Sequence, residues 1–392
     1  MDKNTIIGFV LIAALLIGFS WYTQPSEEDI AKQRMQDSIT ALAKKKAEES
    51  RNAKAQASNQ NAQNNVNADT AAVFYKSLSG KAQNIILKNS KLELTLSTKG
   101  GTVEKAVIKD FKDNKGNKDL TLFDSKDQSL KFMLEGKETN IITSDLYFTP
   151  SNITDSTVTM TAVGSNGRSL VMNYKLGKNY LLHFSLKANG MSGLFSPNYN
   201  KLDIEWTDHC RQQEKGFTFE NRYASLTYHF TDGGTDYISE TSEKVDEKIE
   251  DAIDWVAFKN QFFSAVMIAK DDLGTNSLMT SIPQEKGSGY LKQYGAKVKT
   301  SFDPTGNNST ELEFYYGPND FRLLQKIEKE STFNKDLELH RLVYLGWPLF
   351  RIINRWFTLY VFDWLTGLNI NMGIVLILIT LLLKVITYPL VK

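Results

Sequence analysis

Eighteen consecutive residues without a charge, Thr5 to Tyr22, open this chain, and a second apolar run, Gly373 to Leu390, closes it with one lysine inside. No other feature narrows the possible folds as much, because a bilayer is the usual solvent for runs of this length. At ~1.5 Å per residue the first run covers roughly 27 Å as a helix, close to the hydrocarbon thickness. Trp21 and Tyr22 stand where an aromatic belt lies, Lys3 precedes the run, and Glu27, Glu28 and Asp29 follow it. The positive-inside rule then puts residues 1–4 in the cytoplasm and the following residues outside. A cleaved signal peptide is the rival reading, with Gly18-Phe19-Ser20 as a small-x-small site. The apolar run continues directly into bulky Trp21 and Tyr22, which favours an uncleaved anchor over 5–22.

The second run starts outside and must travel inward, so its final Lys392 falls on the cytoplasmic side, as the charge rule requires. Lys384 is the anomaly. It follows Gly373 by 11 residues, roughly 17 Å into the membrane, where a lysine costs about 2.5–3.5 kcal/mol to insert. Position alone leaves two readings open. The ammonium snorkels to the cytoplasmic headgroups near Tyr388 and Lys392, or it faces a hydrated cavity in a helix bundle.

Charge and cysteine content exclude several classes. With 46 Lys+Arg against 45 Asp+Glu the net charge is +1, which leaves no electrostatic footprint for direct nucleic-acid binding. The single cysteine, Cys210, rules out an internal disulfide, a cysteine-based zinc site and an iron–sulfur cluster.

Residues 23–73 combine a mixed-charge stretch containing Lys44-Lys45-Lys46 with a small, amide-rich segment around Asn59-Gln60-Asn61 and Asn64-Asn65. Such composition cannot bury a core and predicts a flexible tether. From about Phe74 the pattern changes to period-two alternation: Leu92, Leu94 and Leu96 alternate with Glu93, Thr95 and Ser97, and Thr98-Lys99-Gly100-Gly101 turns the chain back into 102–108. The glycines permit positive φ, so this is a hairpin signal. A second hairpin pairs 157–163 with 169–176 through Gly164-Ser165-Asn166-Gly167-Arg168, and 180–187 follows. Further strands are predicted at 130–134, 202–206, 223–230, 262–269, 296–302 and 311–316. Many short strands without intervening helices indicate two packed antiparallel sheets over 74–318, roughly 240 residues and acceptable for one β domain. The charge run 242–254 reads as a solvated loop or helix face. Helical signals return at Pro318-Asn319-Asp320, opening a helical part over 319–346.

Residues 347–366 differ again. Pro348 suits a first helical turn; Arg351, Asn354, Arg355 and Thr358 form one polar stripe, and the flank carries Trp347 and Trp356 among large apolar residues. A helix lying flat in the outer interface, its arginines at the headgroups, fits better than a spanning or soluble core helix. The spanning segment itself is placed at 372–390.

Catalytic and cofactor signatures are not found: there is no Gly-rich phosphate loop, no His-Glu-x-x-His and no nucleophile elbow. His183 and His229 alternate against apolar neighbours and read as solvated strand residues. His209-Cys210 is the only pairing of a base with a thiol, and adjacent strand residues point to opposite faces. No cofactor, no metal and no enzymatic activity are expected.

The arrangement resembles bacterial YidC-type membrane protein insertases in their Gram-negative form with a large periplasmic domain. The resemblance covers the whole chain. It rests on the anchor, on the hairpin from Leu92 through Gly100-Gly101 to Glu104, and on Trp255-Val-Ala followed by Phe262-Phe263. It rests also on Tyr316-Gly-Pro318, on Gly346-Trp-Pro-Leu-Phe350 and above all on Asn371-Met-Gly373 through Thr387-Tyr388-Pro389-Leu390. It implies a periplasmic β-supersandwich like that of galactose mutarotases, and an insertase core whose hydrophilic groove opens to the cytoplasm and the lipid. In that groove the family's arginine corresponds to Lys384, with Thr380 and Tyr388 beside it; this favours the cavity reading, although lysine lacks arginine's planar donor fork. The implied location is the bacterial inner membrane. The implied partners are nascent membrane proteins, the Sec translocon (SecYEG and SecDF), the lipid bilayer and, through regions not in this chain, the ribosome. Since the cytoplasmic hairpin and three further membrane helices of the family are absent after Lys392, the chain reads as a truncated portion of an insertase. Two alternative functions stand beside it: a membrane-tethered carbohydrate- or peptide-binding domain, and a non-catalytic docking platform for the translocon.

Overall fold

The computed structural model of the chain describes residues 73–114, 116–238, 244–344, 357–368 and 370–391, with side chains to Val385 in the last segment. The N-terminal anchor, nearly all of the 23–73 tether, and Trp347, Arg351, Arg355 and Trp356 lie outside the described residues. Four strands, β1 (Asn84–Lys88), β2 (Leu92–Ser97), β3 (Val103–Lys112) and β4 (Asp119–Phe123), form an antiparallel meander. The chain then alternates between two larger sheets. β5 (Gln128–Glu135) and β6 (Asn140–Ile142) enter a six-stranded sheet; β7 (Thr149–Ser151), β8 (Thr157–Val163), β9 (Ser169–Leu176) and β10 (Leu181–Asn189) enter a nine-stranded one. β11 (Lys201–Arg211) returns to the first, and β12 (Ser225–Phe230) and β13 (Thr235–Tyr237) to the second. β14 (Val245–Ile249), β15 (Ile253–Lys259), β16 (Phe263–Ala269), β17 (Ser277–Pro283), β18 (Tyr290–Ser301) and β19 (Thr310–Pro318) complete them. The six-stranded order is β14-β17-β18-β11-β5-β6, and the nine-stranded order is β13-β12-β15-β16-β19-β10-β9-β8-β7.

The two large sheets pack face to face through rings. Trp206 of β11 stacks on Phe258 of β15 at 4.0 Å, and Phe132 of β5 on Phe184 of β10 at 5.2 Å. Such pairs add about 0.5–1.5 kcal/mol each beyond the area they bury. The meander covers one end: Phe123 meets Tyr316 at 5.3 Å and Phe111 meets Phe263 at 5.1 Å. It is a third sheet where the alternation predicted two. The predicted turn glycines serve as expected, with Gly100 at φ 81° and Gly101 at φ 70°, and Asn166-Gly167 supplies the second hairpin's left-handed residues.

After β19 the chain forms helix α2 (Phe321–Glu330), the short α1 (Phe217–Arg222) having preceded β12. Asp320 caps α2 by accepting the Leu323 amide at 2.7 Å. The helix buries Phe321, Leu324 and Ile327, and the segment 331–344 then crosses the outer face of the nine-stranded sheet, adding Leu337, Leu339 and Leu342 to the main core. This cover explains why β15 and β16 are buried at every position, the signature of strands covered on both faces.

Two expectations need correction. His229 does point away from its apolar neighbours, but that face is covered and the residue is 1% exposed. Residues 244–254 are neither loop nor helix throughout: they contain edge strand β14, whose Asp246 and Lys248 are solvated as expected, and the start of β15, where Asp254 is buried.

Candidate functional site

The C-terminal apolar segments form helices α3 (Leu359–Thr366) and α4 (Met372–Val391). Asn371 starts α4 by accepting the Gly373 amide at 2.8 Å. One narrow face of α4 packs on α3: Val375 and Ile379, one turn apart, join Leu365, with Val361, Phe362, Ile370 and Leu383 around them. The other faces are uncovered. Ile374, Leu376, Ile377, Leu381 and Val385 are each at least half exposed, and so much contiguous apolar surface marks a contact with lipid or other protein. Among the described residues no helix is long and apolar enough to cross a membrane. The backbone of α4 runs for 20 residues, whereas its side chains are described only from Met372 to Val385.

Thr380 and Lys384 are exposed one turn apart on a single face of α4, away from the face that packs on α3. Thr380 satisfies its hydroxyl inside the helix by donating to the Leu376 carbonyl at 2.7 Å. The structure thus brings two of the expected groove residues onto one face. The Tyr388 side chain lies outside the described residues, as do Trp347, Arg351, Arg355 and Trp356.

The helical pair is tied to the sandwich at the start of α2. Arg322 reaches Asp363 of α3 at 3.3 Å and lies over the Tyr360 ring at 4.8 Å. Residues 331–344 are fastened more firmly. Glu313, fully buried on β19, accepts from His183 (2.9 Å), the Ser331 hydroxyl (2.7 Å) and both the amide and hydroxyl of Thr332 (2.9 and 2.7 Å). Burial alone would raise its pKa, but these donors hold the carboxyl below the usual range. Trp255 donates its indole N–H to the Leu337 carbonyl at 2.7 Å, and Lys335 pairs with Asp254 at 2.5 Å. His229, stacked on Trp255, sits 3.5 Å from both Asp254 and Glu338. Burial would likewise raise Asp254, and the adjacent His229 ring and Lys335 ammonium bring it below the usual range.

Sequence reasoning missed this fastening because its acceptor and donors lie on separate strands and a distant loop. Cys210 is buried and its thiol is pushed well up, first by burial and then by the Asp208 charge, so His209 and Cys210 do not present an activated nucleophile. Among the described residues no group of three or more His, Cys, Asp and Glu is placed to hold a metal.

A cleft of about 410 Å³ opens where 339–344 pass α1, β12 and β13. Arg222, Lys259 and Arg341 contribute three cations to its walls, and Tyr223, Tyr237 and Tyr344 contribute rings. The alternative of a binding domain allowed for a cleft, but none of these residues was singled out from the sequence.

Comparison with known proteins gives the lineage. The Phocaeicola vulgatus protein named membrane protein insertase YidC is 48% identical over 391 residues, covering 99% of this chain and 62% of that protein. The protein of the same name from Bacteroides fragilis is 42% identical over 392 residues, again with 62% of its length covered. The chain therefore spans about three fifths of the length of these relatives. Among solved structures, a galactose mutarotase related enzyme from Lactobacillus acidophilus superposes with a TM-score of 0.38 at 10% identity, covering 60% of this chain and 97% of that one. A galactose mutarotase-like protein from Lactobacillus casei gives 0.39 at 11%, covering 60% and 100%. The family model described as the YidC periplasmic domain matches residues 84–360, all nineteen strands, helix α2 and the chain as far as the start of α3, and the chain belongs to this family.

Proposed function

We propose that the chain is part of a membrane protein insertase and chaperone of the bacterial inner membrane, with its N-terminus cytoplasmic and its sandwich periplasmic. In this reading 5–22 and 372–390 span the bilayer, 347–366 lies in the outer interface, and Lys384 with Thr380 and Tyr388 lines a hydrophilic groove completed by further helices of the longer protein. The observation that carries the reading is the uncovered apolar surface of α4, interrupted on one face by Thr380 and Lys384. A helix apolar nearly all round belongs in lipid or a helix bundle, and a lone ammonium on such a helix faces a hydrated or paired environment.

No bond chemistry is needed. A short, often acidic extramembrane segment of a client enters the groove toward Lys384. Its apolar helix slides against lipid-facing helices into the bilayer, and the halfway state is less costly because a charge and water are already housed there. Nascent membrane proteins are the clients, and the Sec translocon and, for the longer protein, the ribosome are the proposed partners. Relatives bearing the insertase name support this reading. In the full-length protein, Lys384→Ala and Lys384→Glu should impair insertion of small membrane proteins in a protease-protection assay, while Lys384→Arg should be tolerated. Wild-type insertion by both of the first two variants would remove the proposed role of Lys384.

A further inference from the structure

The cleft at the C-terminal edge of the sandwich combines cations, rings and position in a way that structural packing does not require. Arg222 is exposed at the end of α1, and among the described residues no carboxylate lines the cleft. Arg341 pairs with Glu338 at 2.7 Å and remains partly exposed. Lys259 donates to the Tyr223 carbonyl at 3.1 Å in the floor. Thr235 lines the wall with a buried hydroxyl that has no hydrogen-bond partner among the described residues. The lining is aromatic and wet, with Tyr237 and Tyr344 52% and 58% exposed, and Phe219, 56% exposed, stands just outside it. Phe219 and Tyr344 flank Tyr223, at ring distances of 5.6 and 6.3 Å.

Position selects the ligand. Phe321, in the cleft wall, is adjacent in sequence to Arg322, the residue that contacts Asp363 and Tyr360 of α3. The cleft therefore opens at the end of the sandwich that meets the apolar helices. Amphipathic rings beside arginines are the composition expected at the headgroup level of a bilayer, and a cavity of this size accommodates a glycerophosphate group. We propose that this cleft binds the phosphate of an anionic phospholipid headgroup in the outer leaflet, seating the edge of the sandwich on the membrane surface. The proposal rests on the reading that α4 lies in the bilayer.

The test uses the full chain in phosphatidylcholine vesicles with or without about a third phosphatidylglycerol, where each basic residue near an anionic surface contributes about a fivefold preference. An environment-sensitive fluorophore is attached at Phe219→Cys, with the unsubstituted chain as a labelling control because Cys210 is buried. Quenching is measured with headgroup spin-labelled lipid. A second probe at Leu381→Cys is measured with acyl-chain spin label. Quenching at 219 is expected with phosphatidylglycerol, with contact falling about fivefold for Arg222→Gln and further for the double variant with Arg341→Gln. Tyr344→Ser, a surface change, should weaken it as well. Equal quenching in phosphatidylcholine alone, or no response to the arginine variants, would overturn the proposal. Quenching at 381 without quenching at 219 would overturn it while leaving the bilayer reading of α4 intact; quenching at neither would remove both. If a glutamate-rich peptide shifts the 219 probe without anionic lipid, the cleft belongs to a polypeptide and the lipid assignment fails.

Discussion

Replacing Glu313 with alanine should release residues 331–344 from the sandwich. The substitution strips the acceptor from His183, from the Ser331 and Thr332 hydroxyls and from the Thr332 amide at once. His183 is partly exposed and recovers some solvation, whereas the other donors stay behind the covering segment. With about 1–3 kcal/mol for each buried polar group left unpaired and strong non-additivity, a loss of about 3–5 kcal/mol follows, the range for one-sided removal of a buried charged partner. Glu313→Gln keeps the shape and one acceptor oxygen and should lose about 1.5–3 kcal/mol. The sign of the pH dependence follows from the lowered carboxyl. A carboxyl held below its unfolded pKa stabilises fully above about pH 5 and loses that contribution as pH falls through the folded value. The gap between wild type and Glu313→Gln should therefore narrow below about pH 4. Urea unfolding of the full chain in detergent, with hydrogen exchange across 331–344, measures both effects. An alanine variant within about 1 kcal/mol of wild type, with exchange of 331–344 unchanged, would refute the fastening.

Three further sites test the packing and a buried carboxyl. Gly306 has φ 77°, and a Cβ there would sit 2.0 Å from the Ala188 carbonyl oxygen, so Gly306→Ala should lose about 2–4 kcal/mol by urea unfolding. Gly116, at φ 72° with open space around it, provides the control and should lose only about 1–2 kcal/mol; equal losses would show that the steric contact is unimportant. Asp208 is buried with one oxygen unpartnered, and burial, followed by the charge of Asp127, raises its pKa. Its contribution is present below the unfolded pKa and is lost as pH rises through the folded one, so Asp208→Asn should stabilise the chain by about 1 kcal/mol at neutral pH. That advantage should disappear below about pH 4, and a pH-independent destabilisation would contradict it.

How far the sequence could be read depended on whether the relevant physics was local. Gly100-Gly101 and Asn166-Gly167 announced their hairpins because a positive φ is a property of single residues, and the alternation in β8 to β10 survived because one face of those strands meets water. Asp320 likewise marked its helix. β14 and β15 were hidden because the solvated charges at 246–248 run on toward the buried Asp254 without a break in the pattern, and because cover from a segment some eighty residues later buries both faces of β15. His229 shows the same limit: its direction was legible, but the cover over it was not. On α4 the spacing of Thr380 and Lys384 already put them on one face. The packing face at Val375 and Ile379 could not be distinguished on a helix apolar nearly all round. The cleft escaped notice because Arg222, Thr235, Lys259 and Arg341 meet only in three dimensions.

The fastening of residues 331–344 also has a mechanical meaning. Force applied to the chain at Tyr344 reaches the Trp255 indole at Leu337 before the Lys335–Asp254 pair, and Glu313 at Ser331 last, all rooted in the middle of the broad sheet. The sandwich is therefore coupled to this part of the polypeptide as a lever is to its axle, so that a pull on Tyr344 is passed to the middle of the broad sheet.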